Sequence, residues 1–395
     1  MSKEIRIKYS SILILILILI LLPPSYFSNF DVFAKINEML TIVLFIVLTI
    51  YTLFKKKINI YVLLIVLFLT FNMYTSYFLL DGVLDLYNNL KILSIVLLIN
   101  LIVSQYTLSL LKSLYVVFYS YILLNTLSYI LFPNGLYLDN PRDGEYREAW
   151  FLGIENQFAY YIIPGVILIF IYDFYRNRKI TYKSWIAYTL ALITIFLAWS
   201  ATAVVSFLFL TISIIIVFNK INRKLYSFFT LSIIYIFLWF SIIRINNSSF
   251  FQFFIENFLG KDMTFSSRTV IWERVFEYIE VSKWIGHGNN TYVAFTNREF
   301  RAHNMILQII LDNGLISLFL FILIFIIVGF KAKRTGNLIT TLIIIGIFSI
   351  LIGGLTEAYR MNNLFLLLTL GYFNKDIWDS FIKLHQINKV EGYKL

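Results

Sequence analysis

Apolar runs of about one bilayer thickness, separated by short polar breaks that hold most of the charge, set the pattern of the chain. Roughly 20 apolar residues cross a hydrocarbon core about 30 Å thick. On that measure spans are predicted near 8–22, 36–54, 58–80, 90–104, 107–132, 158–175, 184–199, 202–218, 225–243, 314–330, 337–353 and 359–373. The expectation is an all-α polytopic membrane protein with about 12 transmembrane helices, GT-C-like in layout. The first run follows Lys3, Arg6 and Lys8 and leads to Pro23-Pro24 with no small-x-small site, so it reads as an uncleaved span.

The basic clusters then sort the breaks by side. Lys55-Lys56-Lys57, Lys112, Arg176/Arg178/Lys179/Lys183, Lys220/Arg223/Lys224 and Lys331/Lys333/Arg334 all fall on one face of the membrane. The positive-inside rule makes that face cytoplasmic and places both termini there. The opposite face receives Asp81 and Asp85, an outer loop over 133–157 and a large late outer loop over 244–313. From His303 to Phe330 the apolar pattern is too long for an untilted crossing, at roughly 42 Å of helix. A break at Asn313-Gly314 is therefore expected, with residues 303–313 forming an interfacial or re-entrant helix. Nothing divides residues 1–395 into more than one membrane domain.

Composition narrows the function. At 59% hydrophobic and 14% charged, with mean hydropathy +0.79, the chain lies far from soluble proteins, where charged residues make up about a quarter. The net charge of +11 follows the cytoplasmic loops and is read as topology, not as a surface for nucleic acid. The lack of cysteine excludes disulfides and thiolate chemistry, and three histidines argue against a histidine-rich metal cluster. No metal site and no cofactor are expected.

Residues 268–280 carry the chemistry-bearing pattern. Ile271, Trp272, Val275, Phe276 and Ile279 fall on one helical face and Glu273, Arg274, Glu277 and Glu280 on the other. With Ser266 or Ser267 as N-cap, Arg268 would sit in the first turn, where free N–H groups favour an anion and a guanidinium fork matches phosphate. The alternative is an ordinary surface arginine. Gly286-His287-Gly288-Asn289-Asn290 reads as a turn, with His287 incidental. His303 lies where the loop re-enters the membrane, and an imidazole is a side chain suited to proton transfer near neutrality, although lone interfacial histidines are common. In the earlier loop Arg142 and Arg147 are candidate phosphate contacts and Asn156 a sugar contact; a solvated, self-paired loop is the other reading. Ser200 and Thr202 sit in a tight helical turn where hydroxyls can be structural. Glu357 and Arg360, three apart, are expected to pair with each other.

Taken together, these residues resemble the O-antigen polymerase (Wzy-type) and O-antigen ligase superfamily of bacterial membrane glycosyltransferases. The resemblance rests on the layout of spans and on Arg268-x-x-x-Trp272, Gly286-x-Gly288 and His303-Asn304 followed by Gly314. Ser317 stands where the ligase branch usually has Gly, Thr or Tyr. At the hairpin turn Ser200-Ala201 replaces the Ser-Arg often found there, so no arginine carries over. The resemblance implies a metal-independent transferase that polymerises undecaprenyl-diphosphate-linked repeat units of O-antigen, lipopolysaccharide or capsule on the outer face of the inner (plasma) membrane. Arg268 would neutralise the departing diphosphate, helped by Arg142, Arg147, Arg298 and Arg301. His303 would activate the acceptor hydroxyl, Asn304 would hold the ring or a sugar hydroxyl, and Trp272, Gly286, Gly288 and Gly314 would shape the site. Expected partners are the lipid-linked glycan, membrane lipid, a chain-length regulator and a flippase. The rivals are an O-antigen ligase with the same donor and, ranked lower, a lipid-linked oligosaccharide flippase, which would need polar groups at mid-bilayer.

Overall fold

The computed structural model describes residues 3–79, 86–139, 146–219, 223–245, 264–295 and 298–390. Within them are thirteen helices: α1 (Lys3–Leu21), α2 (Asp31–Phe54), α3 (Ile60–Leu79), α4 (Leu86–Leu131), α5 (Phe158–Asn177), α6 (Tyr182–Ala198), α7 (Ala201–Phe218), α8 (Phe228–Ile245), α9 (Thr264–Val281), α10 (Met305–Lys333), α11 (Leu338–Gly353), α12 (Asn362–Tyr372) and α13 (Asn374–Val390). Six helices or helix-bearing segments are long and apolar enough to cross a membrane, and four shorter apolar helices accompany them. Helices dominate because a backbone in hydrocarbon must satisfy its own hydrogen bonds. The all-α expectation needs one correction. Two small antiparallel hairpins sit in the loops, β1 (Tyr137–Asp139) with β2 (Arg147–Ala149) and β3 (Val293–Phe295) with β4 (Arg298–Phe300). Their strands are three residues long, too short to show an alternation in sequence.

The surface is inverted relative to a soluble protein. Along α2, Val43, Val47, Ile50 and Phe54 are more than half exposed, while Asn37, Thr41 and Thr52 turn inward. A face of this kind is stable only against lipid, which solvates apolar side chains as well as the interior does. At the centre α5 is buried along nearly its whole length, flanked by α4, α11 and α12.

Two long helices are broken, for different reasons. A straight α4 of 46 residues would extend roughly 69 Å, twice the hydrocarbon thickness. It turns back at Tyr106, whose φ of −126° and ψ of 31° are not helical. The two predicted spans 90–104 and 107–132 are its two arms. Near the turn, Asn100 bonds Asn59 and the Lys57 carbonyl, while Ser109 and Ser113 meet Ser10 and the Ser11 carbonyl. Helix α10 breaks at Gly314, the position expected from sequence, with φ 72° and ψ −176°. That conformation is open almost only to glycine.

Loops gather at two ends of the bundle. One end holds Lys57 and Asn59 beside Arg334 and α13, which is tied to α5 by Tyr175 Oη and Ser380 Oγ. The other collects the α1–α2, α4–α5, α6–α7 and α11–α12 connections and the segment from α9 to α10. There Asn125 Oδ1 accepts from the Leu152 N–H and Ser128 Oγ from the Phe151 N–H, fixing the chain before α5.

Candidate functional site

The expectation that Glu357 pairs with Arg360 is corrected here. Residues 357–360 do not form a helix, so side chains three apart do not share a face. Instead Glu357 is the point at which distant segments meet. Arg268 Nη2 donates to its Oε1 at 3.0 Å, Asn156 Nδ2 donates to the same oxygen at 3.2 Å, and His303 Nδ1 lies 3.4 Å from Oε2. The three ionisable side chains are 16%, 12% and 28% exposed for Arg268, Glu357 and His303. Burial pushes the Glu357 carboxyl up. The hydrogen bond and charge of His303, with the charges of Arg268 and Arg147, outweigh it and hold the group below its ordinary value.

Each partner is placed by a local device. Arg268 and Trp272 are four apart on α9 and share a face. Trp272 Nε1 donates to the Ala302 carbonyl at 2.8 Å, and Ile271, Trp272 and Val275 pack with Val293, Leu307 and Leu311. This fastens α9 to the start of α10 and aims Arg268 at Glu357. Phe276, expected on the buried face, is 40% exposed. The helix starts at Thr264, ahead of Ser266 and Ser267. Arg268 is thus its fifth residue, past the four free N–H groups expected to surround it.

His303 adopts a φ of 44° immediately before α10. Asn304 is the N-cap: its Oδ1 accepts from the Leu307 N–H and from Trp239 Nε1, and its Nδ2 donates to the Leu355 carbonyl. Fully buried and so engaged, Asn304 anchors the start of the helix that follows His303. The Met305 N–H donates to the Gly354 carbonyl and brings the Glu357 loop alongside. Asn156 likewise serves the carboxylate, with its Oδ1 accepting from Ser200 Oγ at 2.7 Å. Thr202 meets Thr356, so both hydroxyls of the α6–α7 turn brace the Glu357 loop.

The glycines are explained by backbone contact. The Gly288 N–H donates to the Asp312 carbonyl, and the Leu315 N–H to the Lys283 carbonyl. A Cβ on Gly286 would come within 2.4 Å of the Asp312 carbonyl oxygen, and one on Gly314 within 2.2 Å of Trp284 backbone. The turn and the helix break therefore interlock main chain to main chain. His287 is part of that joint, its ring Nε2 paired with the Tyr278 carbonyl.

Glu357 and His303 line a cavity of about 300 Å³, together with Arg147, Arg301, Arg360 and Tyr160 among others. Arg298 is exposed on β4 and is not among the lining residues. Arg142 lies outside the described residues. Sequence reading missed Arg360 and Tyr359 as lining residues and gave Glu357 a neighbour as partner. The available signal was a carboxylate in a short turn between two apolar helices on the same face as the other candidates.

A lipid-compatible helical surface and a cluster of histidine, carboxylate and arginines at one end define a multi-pass membrane protein with a charged terminal site. Residues 186–322, from α6 into the second part of α10, match the family model described as O-Antigen ligase. That segment is similar to the O-antigen ligase family, which is consistent with the resemblance to the O-antigen polymerase and ligase superfamily. Arg268, Trp272, the three glycines and His303 lie inside the matched segment; Asn156 and Glu357 lie outside it. No curated protein matches the chain significantly.

Proposed function

We propose that this chain is a metal-independent glycosyltransferase that polymerises undecaprenyl-diphosphate-linked repeat units, of O-antigen or capsular type, on the outer face of the bacterial plasma membrane. The carrying observation is the meeting of His303 and Arg268 on the Glu357 carboxylate, with His303 and Glu357 in the wall of one cavity. On this reading the site end faces outward, the end bearing Lys57 and Arg334 faces the cytoplasm, and α4 contributes two of about twelve crossings.

Chemically, an acceptor hydroxyl oxygen bonds to the anomeric carbon as the bond from that carbon to the diphosphate breaks. Glu357 on Nδ1 favours the tautomer with its proton there, leaving the Nε2 lone pair to take the hydroxyl proton. The carboxylate also stabilises the imidazolium that results. Negative charge departs with the diphosphate. Arg268 shares or exchanges its bond to Glu357 for phosphate oxygens, and Arg147, Arg301 and Arg360 add positive potential. The arginines do what a divalent ion does elsewhere. Asn156 and Asn304 act as positioning residues through Glu357 and α10, and Arg298 lies at the periphery.

An apolar crevice of about 420 Å³ between α8 and α10, lined by Tyr235, Trp239, Ile306 and Ile310 among others, supports a polyprenyl donor. Ile306 is three residues from His303, so an isoprenoid chain in the crevice would bring its diphosphate towards the site. The description of the matched family favours a second reading, an O-antigen ligase with the same donor and a lipid A-core or other acceptor. The test is the purified protein in nanodiscs, given lipid-linked repeat units extracted from the producing cell, in the presence of EDTA. A polymer ladder is expected. Transfer only to added lipid A-core selects the ligase reading, and activity that requires added magnesium overturns the metal-free mechanism.

A further inference from the structure

A second cavity, of about 90 Å³, adjoins the first, and Arg301, Tyr359 and Arg360 line both. It has room for on the order of six waters. Side-chain amides dominate its polar wall: Asn72 on α3, Asn289 after the glycine turn, and Gln308 and Asn313 on the first segment of α10. They are held in place from behind. Ser317 Oγ donates to Asn72 Oδ1 at 2.7 Å, Thr75 Oγ1 to Asn313 Oδ1 at 2.6 Å, Asn313 Nδ2 to Asn289 Oδ1 at 2.8 Å, and Gln308 Nε2 to Asp312 Oδ1 at 2.8 Å. Phe68, Ile92 and Ile309 supply an apolar side.

Fixed amides opposite an apolar wall suit a sugar ring. Each hydroxyl both donates and accepts, as an amide does, while the ring's C–H face packs on hydrocarbon. The shared wall adds an independent observation. Arg301 Nε and Tyr359 Oη are buried and have no hydrogen-bond partner, whereas buried polar atoms are almost always paired. A ligand rich in hydroxyls would satisfy both.

Resting on the glycosyltransferase reading, we propose that this amide-lined cavity is the acceptor saccharide subsite, from which the reacting hydroxyl reaches past Arg301 and Tyr359 to His303. The donor then occupies the larger cavity, and the wall between the two sets which hydroxyl is presented.

The probe is the repeat-unit oligosaccharide released from its lipid by mild acid, with binding to nanodisc-embedded protein followed by saturation-transfer NMR. Wild type is expected to bind. Tyr359→Phe, which removes only the unpaired hydroxyl, should bind about tenfold more weakly, the scale of one hydrogen bond. Met361→Trp, at a partly exposed rim position, should block the cavity and abolish the signal. Arg268→Ala should bind as wild type does. With lipid-linked units, Tyr359→Phe should raise the acceptor KM by a similar factor and retain kcat. No binding by wild type, wild-type binding and KM in both cavity variants, or loss with Arg268→Ala alone would overturn the subsite. Saccharide binding by a protein that transfers no glycan would overturn the transferase reading and leave the subsite standing.

Discussion

Two histidines at opposite ends of the bundle meet partners of different kinds. His385 on α13 pairs its Nε2 with the Tyr175 carbonyl at 2.9 Å and packs against Phe381. His303 faces the Glu357 carboxylate, which also holds Arg268. A carbonyl fixes a ring without adding net charge. A carboxylate fixes the ring and also places a negative charge beside it. Glycines repeat the contrast. Gly336, at the His385 end, has a φ of 53° and nothing within 4 Å of a Cβ, whereas Gly314 is locked against Trp284. Tight backbone contact and charged partners thus coincide at the His303 end, as expected where a reaction needs its groups held in place.

One methyl group added at each end should separate the two ends most. Gly314→Ala combines a glycine-only conformation with a 2.2 Å clash and should cost on the order of 2–6 kcal/mol. It should deplete folded protein, read by thermal unfolding in detergent. Gly336→Ala should cost only about 1 kcal/mol. Similar losses for both would remove the distinction.

Next come the charged groups. His303→Ala should lower polymer formation by about 100-fold at normal protein level, the scale of general acid–base help, while His385→Ala and His287→Ala stay near wild type. Long polymer at the normal rate from His303→Ala would leave only the arginine half of the mechanism. Arg268→Lys keeps the charge and loses the fork; one charge-assisted contact of ~2–3 kcal/mol corresponds to roughly 30- to 200-fold in rate.

Glu357→Gln should have a smaller effect, a rate loss of about tenfold. It also carries a pH signature. Because the folded carboxyl sits below its ordinary value, its stabilising contribution is present above about pH 4.3 and drains as pH falls through the depressed folded value. Wild type should lose thermal stability over that acid range, and the Gln variant should lack this component. Identical acid profiles would show that the carboxylate does not serve the folded site.

The apolar runs by themselves determined the helical membrane class, and the length of the run after His303 determined that α10 must break. Spans near 158–175, 184–199 and 202–218 became α5, α6 and α7 because hydrocarbon length and backbone satisfaction are local requirements, readable from consecutive residues. Arg268, Trp272, the glycine pair and His303 were visible as a motif, since each is an unusual residue at a fixed spacing. Their partners were not. Glu357 lies 89 residues from Arg268, and in sequence its nearest opposite charge was Arg360. That Asn304 caps α10, and that Asn156, in the cavity wall, also bonds Glu357, was not legible, because an exposed amide and a capping or bridging amide are spelled alike. Only the tertiary structure, by bringing the α9–α10 segment against the α4–α5, α6–α7 and α11–α12 turns, decided which polar atoms were buried and therefore had to be paired.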